Sequence, residues 1–299
     1  MRVKIECPIN FLQVQNLNII LEDLGYTIDS KDPECIIVNP GTDVFLGEDY
    51  FSRYKNLKAV GTPSTGVNHL DMEYLNSRNI VVKCLLDNRD VLENIHASAE
   101  FTWLHVMNAF RRFIPATNST DNWRGPENER FLRSNELAGK TIGIVGMGRI
   151  GRKLARYAEA FNMNVEYYDP YVEKNEYKRV FSLTNLRNVD IICISCYLTD
   201  ETRGLISKGS LDNFKKNLIV INTSRGETVN EDYIYDLITR DKIFYSCDVL
   251  CNEQNIKKLK QSKLFNLKRD NIVITPHVAG ATVESQTKAL RGILELCIR

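Results

Sequence analysis

Residues 141–151, TIGIVGMGRIG, run from a β-branched apolar stretch into glycines at 146, 148 and 151, then on into the amphipathic stretch RIGRKLARYAEAFN (149–162). A strand that feeds a glycine turn and then a helix commits its surroundings to a parallel sheet covered by crossover helices. The GxGxxG spacing is a weak signal alone, and a glycine turn that merely packs a helix on a strand would show it too. Here the next apolar run, NVEYYD (164–169), ends in Asp169, 18 positions after Gly151. In that context Gly146 permits a tight turn, Gly148 lets backbone approach a pyrophosphate, and Gly151 lets helix pack on strand. The helix N-terminus adds unpaired N–H groups and a partial positive charge for phosphates. Asp169 suits the hydroxyls of an adenosine ribose and repels a 2′-phosphate. The expected cofactor is NAD, not NADP.

The same rhythm extends outward. Strand-like runs recur at DIICIS (190–195), LIVINT (218–223), FYSCDV (244–249) and NIVIT (271–275), with helical spacing in NEDYIYDLITRDK (230–242). With the two runs around the glycines these give six strands, enough for a doubly wound sheet. A smaller set, CIIVN (35–39), LKAVGT (57–62) and IVVKC (80–84), reads as a second α/β domain, which suits a chain of 299 residues. The stretch 91–113 reads as one helix bridging the two, 114–129 as an exposed polar loop, and 282–298 as a last helix that returns to the first domain.

Charge excludes some partners. Lys and Arg number 39 against 38 Asp and Glu, so nothing electrostatic favours nucleic acid or a charged membrane. No run is apolar enough to span a bilayer and MRVKIECPIN lacks a signal-peptide core, so a cytoplasmic protein is expected. The eight cysteines sit in apolar runs and read as reduced core residues, including the Cys193/Cys196 CxxC; no metal is expected.

NIVITPHVAG (271–280) runs from a strand through a proline onto His277, one of only four histidines. Spacing alone leaves open whether His277 does chemistry or is a bonded structural group. The segments around it bear on that choice. INTSRGETVNEDYI (221–234), CDVLCNE (247–253) and TPHVAGAT (275–282) follow in an order and spacing that resemble the D-isomer-specific 2-hydroxyacid dehydrogenases. ELAGKTIGIVGMGRIGRKLARYAEAFNMNVEYYDPY (136–171) resembles that family's cofactor segment, and GTPSTGVNHLD (61–71) its substrate loop.

The resemblance implies an α/β protein of two Rossmann-like, doubly wound domains around a cleft, with an NAD-binding domain (97–281) inserted into a smaller flavodoxin-like substrate domain (1–96 and 282–299). It implies interconversion of a small 2-keto acid and its D-2-hydroxy acid, with His277 as acid/base, Glu253 as its partner and Arg225 as the substrate clamp. Thr65, Gly66 and Val67 would cradle the substrate carboxylate through backbone N–H groups. Beside the glycines and Asp169, the cofactor would meet Arg149, Ile150, Tyr197, Thr223, Ser224, Asp248, His277 and Gly280. The region 91–129 resembles the part through which family members form homodimers. At 299 residues the chain is expected to lack the C-terminal regulatory domain of longer phosphoglycerate dehydrogenases.

Some positions depart from the family pattern. Cys251 and Gln254 stand in unexpected places, and Ser195 and Tyr197 replace histidine and proline. Asn68 and His69 stand where many relatives have Asp and Asn. The stretch from Arg225 to Glu253 is one residue short, so the fold must decide whether Glu253 reaches His277. His96 and His105 read as packing or dimer-surface residues, His69 as a neighbour of the substrate loop, and Trp103 and Trp123 as core or interface packing. The alternative to an enzyme is a corepressor-like protein of the same fold that senses NAD(H).

Overall fold

The computed structural model of the chain describes residues 1–6, 14–39, 45–173 and 176–298. These residues divide into two compact units: Met1–Ala97 with Gln254–Ile256 and Gly280–Arg299, and Ser98–Glu253 with Lys257–Ala279.

The smaller unit is built on a parallel sheet of five strands: β1 (Arg2–Glu6), β2 (Thr27–Ile28), β3 (Cys35–Val38), β4 (Ala59–Thr62) and β5 (Val81–Cys84), in the order β2-β1-β3-β4-β5. All four residues of β3 are buried because helices cover both faces, which is why CIIV is apolar throughout. The helix Val283–Ile298 lies on β4, and Gly61 makes the fit. A Cβ there would come within 2.4 Å of Ile293 Cγ2 and 2.8 Å of Ile37 Cδ1.

The larger unit carries seven parallel strands: β6 (Thr141–Val145), β7 (Asn164–Tyr168), β8 (Lys178–Val180), β9 (Ile191–Ile194), β10 (Leu218–Asn222), β11 (Ile243–Cys247) and β12 (Ile272–Ile274). Their order is β12-β11-β10-β9-β6-β7-β8. The chain winds outward from β6 in one direction through β7 and β8, then returns to β9 and winds the other way. Apolar clusters fill both faces, one around Ile142, Ile144 and Leu154, the other around Val145, Ile192, Val220 and Tyr245. Because every strand runs parallel, the loops that follow β6, β7, β9, β10, β11 and β12 all emerge at one edge of the sheet. The reversal between β6 and β9 opens the crevice where such folds hold ligands.

Three local expectations are corrected. The seventh strand, β8, was hidden because Lys178–Val180 is short and charged, as suits an edge that pairs with β7 over three residues. The single helix expected over 91–113 is broken into Arg89–Glu93, Ala97–Arg111 and the start of Phe113–Thr117. Asn94 turns back to donate to Asp90 O at 2.9 Å, and Arg112 adopts φ 52°, in the left-handed region that stops a helix. The polar stretch 114–129 also holds ordered turns, because Pro126 occupies the first position of a helix, Pro126–Leu132, where its missing N–H costs nothing.

Candidate active site

At the β6 edge the glycines do separate jobs. Gly146 has φ 94°, and a Cβ there would lie 2.7 Å from Cys196 N; at Gly151 a Cβ would lie 2.2 Å from Gly146 O. Both glycines are therefore required by the protein's own packing. A Cβ on Gly148 would meet nothing within 4 Å, so this glycine keeps an approach open at the N-terminus of the helix Arg149–Ala160. Asp169, at the end of β7, accepts from Met147 N (2.8 Å) through Oδ2 and from Tyr171 N (2.9 Å) and Val172 N (3.0 Å) through Oδ1. A carboxylate offers about four acceptor positions, so one remains on Oδ2. Asp169 thus braces the glycine loop and still has room for one hydroxyl.

After β9, Ser195 Oγ donates to Gly146 O at 2.7 Å, and Tyr197 stands 59% exposed. Burial raises the thiol pKa of Cys193 and lifts that of Cys196 to about 11. Both stay protonated, and the CxxC is packing.

After β10 the chain bends around Asn222, which is buried at the strand end. Its Oδ1 accepts from Ser224 N and Oγ (3.1 and 2.9 Å), and its Nδ2 donates to Arg225 O (3.0 Å) and Thr228 Oγ1 (3.2 Å). Thr223, 8% exposed, is bonded to Thr102 at 2.6 Å. Arg225 Nη1 donates to Ser224 O at 2.7 Å.

After β11, Asp248 is 1% exposed and accepts from Thr275 Oγ1 (2.5 Å), Val278 N (3.0 Å) and Ala279 N (2.7 Å). This carboxylate holds both flanks of the turn that carries His277. The turn is tight: His277 has φ 54°, and its N–H donates to Thr275 O at 3.1 Å. A left-handed histidine is a conformation that the surroundings must impose.

Glu253 reaches His277. Its Oε1 lies 2.6 Å from His277 Nδ1, while Oε2 accepts from Leu250 N at 3.2 Å. The carboxylate therefore takes Nδ1–H and leaves Nε2 as the nitrogen that can exchange a proton. Burial alone would lower the His277 pKa; the bond to Glu253 and its charge more than reverse this. With Arg225 pulling down and Asp248 pulling up, the net result lies above the usual 6.5.

The remaining candidates belong to the smaller unit. Thr65, Gly66 and Val67 lie in a loop braced by Ser64 Oγ donating to Gly66 O (2.7 Å) and by Leu85 N donating to Ser64 O (2.9 Å). His69 is 1% exposed, is bonded to Thr62 Oγ1 at 3.2 Å, and has its pKa lowered to about 4 by burial; it is a neutral brace of this loop. Gly280 O accepts from Ser285 Oγ at 2.8 Å.

The chain is similar to known proteins over most of its length. Residues 103–279, more than half the chain, match the D-isomer specific 2-hydroxyacid dehydrogenase, NAD binding domain. The chain belongs to the D-isomer-specific 2-hydroxyacid dehydrogenase family. It is 31% identical over 266 residues to D-3-phosphoglycerate dehydrogenase of Methanocaldococcus jannaschii, covering 87% of this chain and 48% of that one. It is 32% identical over 277 residues to glyoxylate reductase of Thermofilum pendens, covering 89% and 77%. Among solved structures it is similar to D-lactate dehydrogenase of Aquifex aeolicus complexed with NAD and lactic acid, at 26% identity and TM-score 0.75, covering 98% of this chain and 92% of that one. The chain spans about half the length of the phosphoglycerate dehydrogenases it matches.

In this dehydrogenase-family chain several residues escaped the reading of motifs. Asn222 shapes the Arg225 loop, and an asparagine closing an apolar run was its signal. Gly226 lets that loop lie against the chain after β11, since a Cβ would come within 2.0 Å of Leu250 C. Of the two readings of His105, packing holds and dimer surface does not: it is 3% exposed and bonded at both ring nitrogens. Trp103 is core, 5.1 Å from the Phe161 ring, whereas Trp123 is 79% exposed. The seven described cysteines are free thiols, three of them only half-buried; Cys7 lies outside the described residues.

Proposed function

We propose that the protein interconverts a small 2-keto acid and its D-2-hydroxy acid with NAD(H), His277 acting as acid/base, Glu253 as its partner and Arg225 as the substrate clamp. The observation that carries the reading is the 2.6 Å contact between His277 Nδ1 and Glu253, set at the same sheet edge as the glycine loop. NADH, when bound, supplies the hydride. His277 donates a proton from Nε2 to the keto oxygen during reduction and takes one back during oxidation. Glu253 keeps Nδ1 protonated and steadies the imidazolium between the two. The planar fork of Arg225 suits the carboxylate and keto oxygen of the substrate, and backbone N–H groups of Thr65, Gly66 and Val67 suit the carboxylate. The division 97–281 for NAD and 1–96 with 282–299 for substrate follows from these roles.

Gly146, Gly148, Gly151, Arg149 and Ile150 would hold the pyrophosphate, Asp169 the ribose, and Asp248 the nicotinamide carboxamide, with Tyr197, Thr223, Ser224 and Gly280 lining the site. A preference for NAD is supported by Asp169, whose carboxylate at the end of β7 would repel a 2′-phosphate. A cytoplasmic homodimer fits the free thiols and the exposed apolar side chains Phe113, Ile114, Trp123 and Phe131.

Stopped-flow measurement with NADH and a panel of 2-keto acids tests the function. Turnover supports the enzyme; NADH binding with no turnover on any acid supports the NAD(H)-sensing alternative. NADH should bind at least about tenfold more tightly than NADPH, about 1.4 kcal/mol. Equal affinities in a fluorescence titration would remove Asp169 from the cofactor site.

A further inference from the structure

His105 lies on the helix Ala97–Arg111, far in sequence from any motif of the site. Its Nδ1 is 2.6 Å from Ser246 Oγ, and its Nε2 is 3.2 Å from Thr275 Oγ1. Thr275 Oγ1 is in turn 2.5 Å from Asp248 Oδ1. Proton accounting gives this chain a direction. Asp248, as a carboxylate, only accepts, so the single hydroxyl proton of Thr275 goes to it. Thr275 must then accept from His105, which puts a proton on Nε2. A neutral imidazole carries one N–H, so Nδ1 is bare and accepts the hydroxyl proton of Ser246. Burial lowers the pKa of His105, which agrees with the neutral form. The Phe101 ring packs against the imidazole in a T-shaped pair, with centroids 5.0 Å apart.

The chain ends on a carboxylate with three of its acceptor positions used. Oδ1 takes Thr275 Oγ1 and Val278 N, and Oδ2 takes Ala279 N. One position remains, on Oδ2. We propose that Ser246, His105 and Thr275 form a directional hydrogen-bond relay that fixes the rotation of Asp248, and through it both the remaining acceptor and the turn that presents His277 to Glu253. His105 and Thr275 are positioning residues. The effect on cofactor binding rests on the function proposed above, whereas the relay itself does not.

The test has two arms on the intact chain. In the first, 15N-histidine spectra at neutral pH are assigned by single substitution, which four histidines allow. His105 should show a protonated Nε2 and a bare Nδ1; the opposite tautomer would overturn the relay. In the second, Thr275→Val removes the hydroxyl and keeps the shape, while Thr275→Ser keeps the hydroxyl and loses the methyl. The valine variant should lower the His277 pKa by roughly half a unit or more as its turn loosens from Glu253, and weaken NADH binding several-fold; the serine variant should do neither. The groups facing His277 in that titration are Glu253, Arg225 and Asp248. A His277 pKa that follows the methyl, shifting in the serine variant and not in the valine one, would reduce Thr275 to packing. If wild-type protein binds no NADH, the proposed function fails while the histidine spectra and the His277 titration still decide the relay.

Discussion

The glycine loop and the acid/base cluster lie at the same edge of one sheet but are made in different ways. The loop is a continuous segment: Gly146, Gly148 and Gly151 act within six residues, and Asp169 at the next strand end ties back to Met147 N. The cluster is assembled from three loops, those after β10, β11 and β12, that meet only because their strands run parallel and in register. A segment can be recognised by spacing, whereas an assembly depends on every element that sets its parts. Damage to the loop should therefore appear in binding and folding, and damage to the cluster in turnover.

The widest separation should come from His277. Alanine would strain a backbone at φ 54°, so asparagine, which tolerates that region, is the cleaner substitution. His277→Asn should lower kcat for keto-acid reduction by about 10²–10⁴-fold and leave NADH affinity within about threefold. Loss of NADH binding on the same scale would erase the distinction between loop and cluster. Arg225→Lys comes next. A point charge cannot reproduce the fork, so kcat/KM should fall by about 10²-fold with NADH binding nearly unchanged. A collapse of NADH affinity would move the arginine into the cofactor site.

The two glycines sharpen the comparison from the other side. Gly151→Ala drives a methyl to 2.2 Å from Gly146 O and should destabilise the protein by about 1–3 kcal/mol, seen as a fall in Tm. Gly148→Ala meets nothing within 4 Å, so its Tm should be unchanged while NADH affinity falls by about tenfold, near 1.4 kcal/mol. Equal behaviour of the two variants in Tm and in binding would mean that Gly148 is a packing glycine like Gly151.

The smallest effect is a shift of pH. Glu253 raises the His277 pKa, and reduction needs the imidazolium, so its rate falls as pH rises through that raised value. Glu253→Gln removes the charge and should move this high-pH limb down by up to about one unit. Oxidation needs neutral imidazole, so its low-pH limb should move down as well. The pair's contribution to stability is present in full below the unfolded histidine value and fades as pH rises through the folded one. With the His277 side chain 49% exposed, solvent screening keeps that contribution small. Profiles that do not move in either direction would mean that the histidine works without this carboxylate.

The sequence by itself determined the parallel α/β class, six of the seven strands of the larger sheet, and the glycine loop with its acidic partner. These are local properties: side-chain period sets strand or helix, and a backbone position that only glycine can occupy announces itself. The motifs also named Arg225, Glu253 and His277, but the bond between the last two was not legible, because they lie 24 positions apart on loops after different strands. Only the tertiary structure brought them together, with Gly226 letting the loop after β10 lie against Leu250 and Leu250 N holding Glu253. It alone joined His105 to Thr275 across 170 positions, and it alone split the stretch 91–113 where Asn94 and Arg112 turn the chain. The reason is common to all three. A hydrogen bond is decided within a few tenths of an ångström, whereas a pattern in sequence places an element only to within a residue or two.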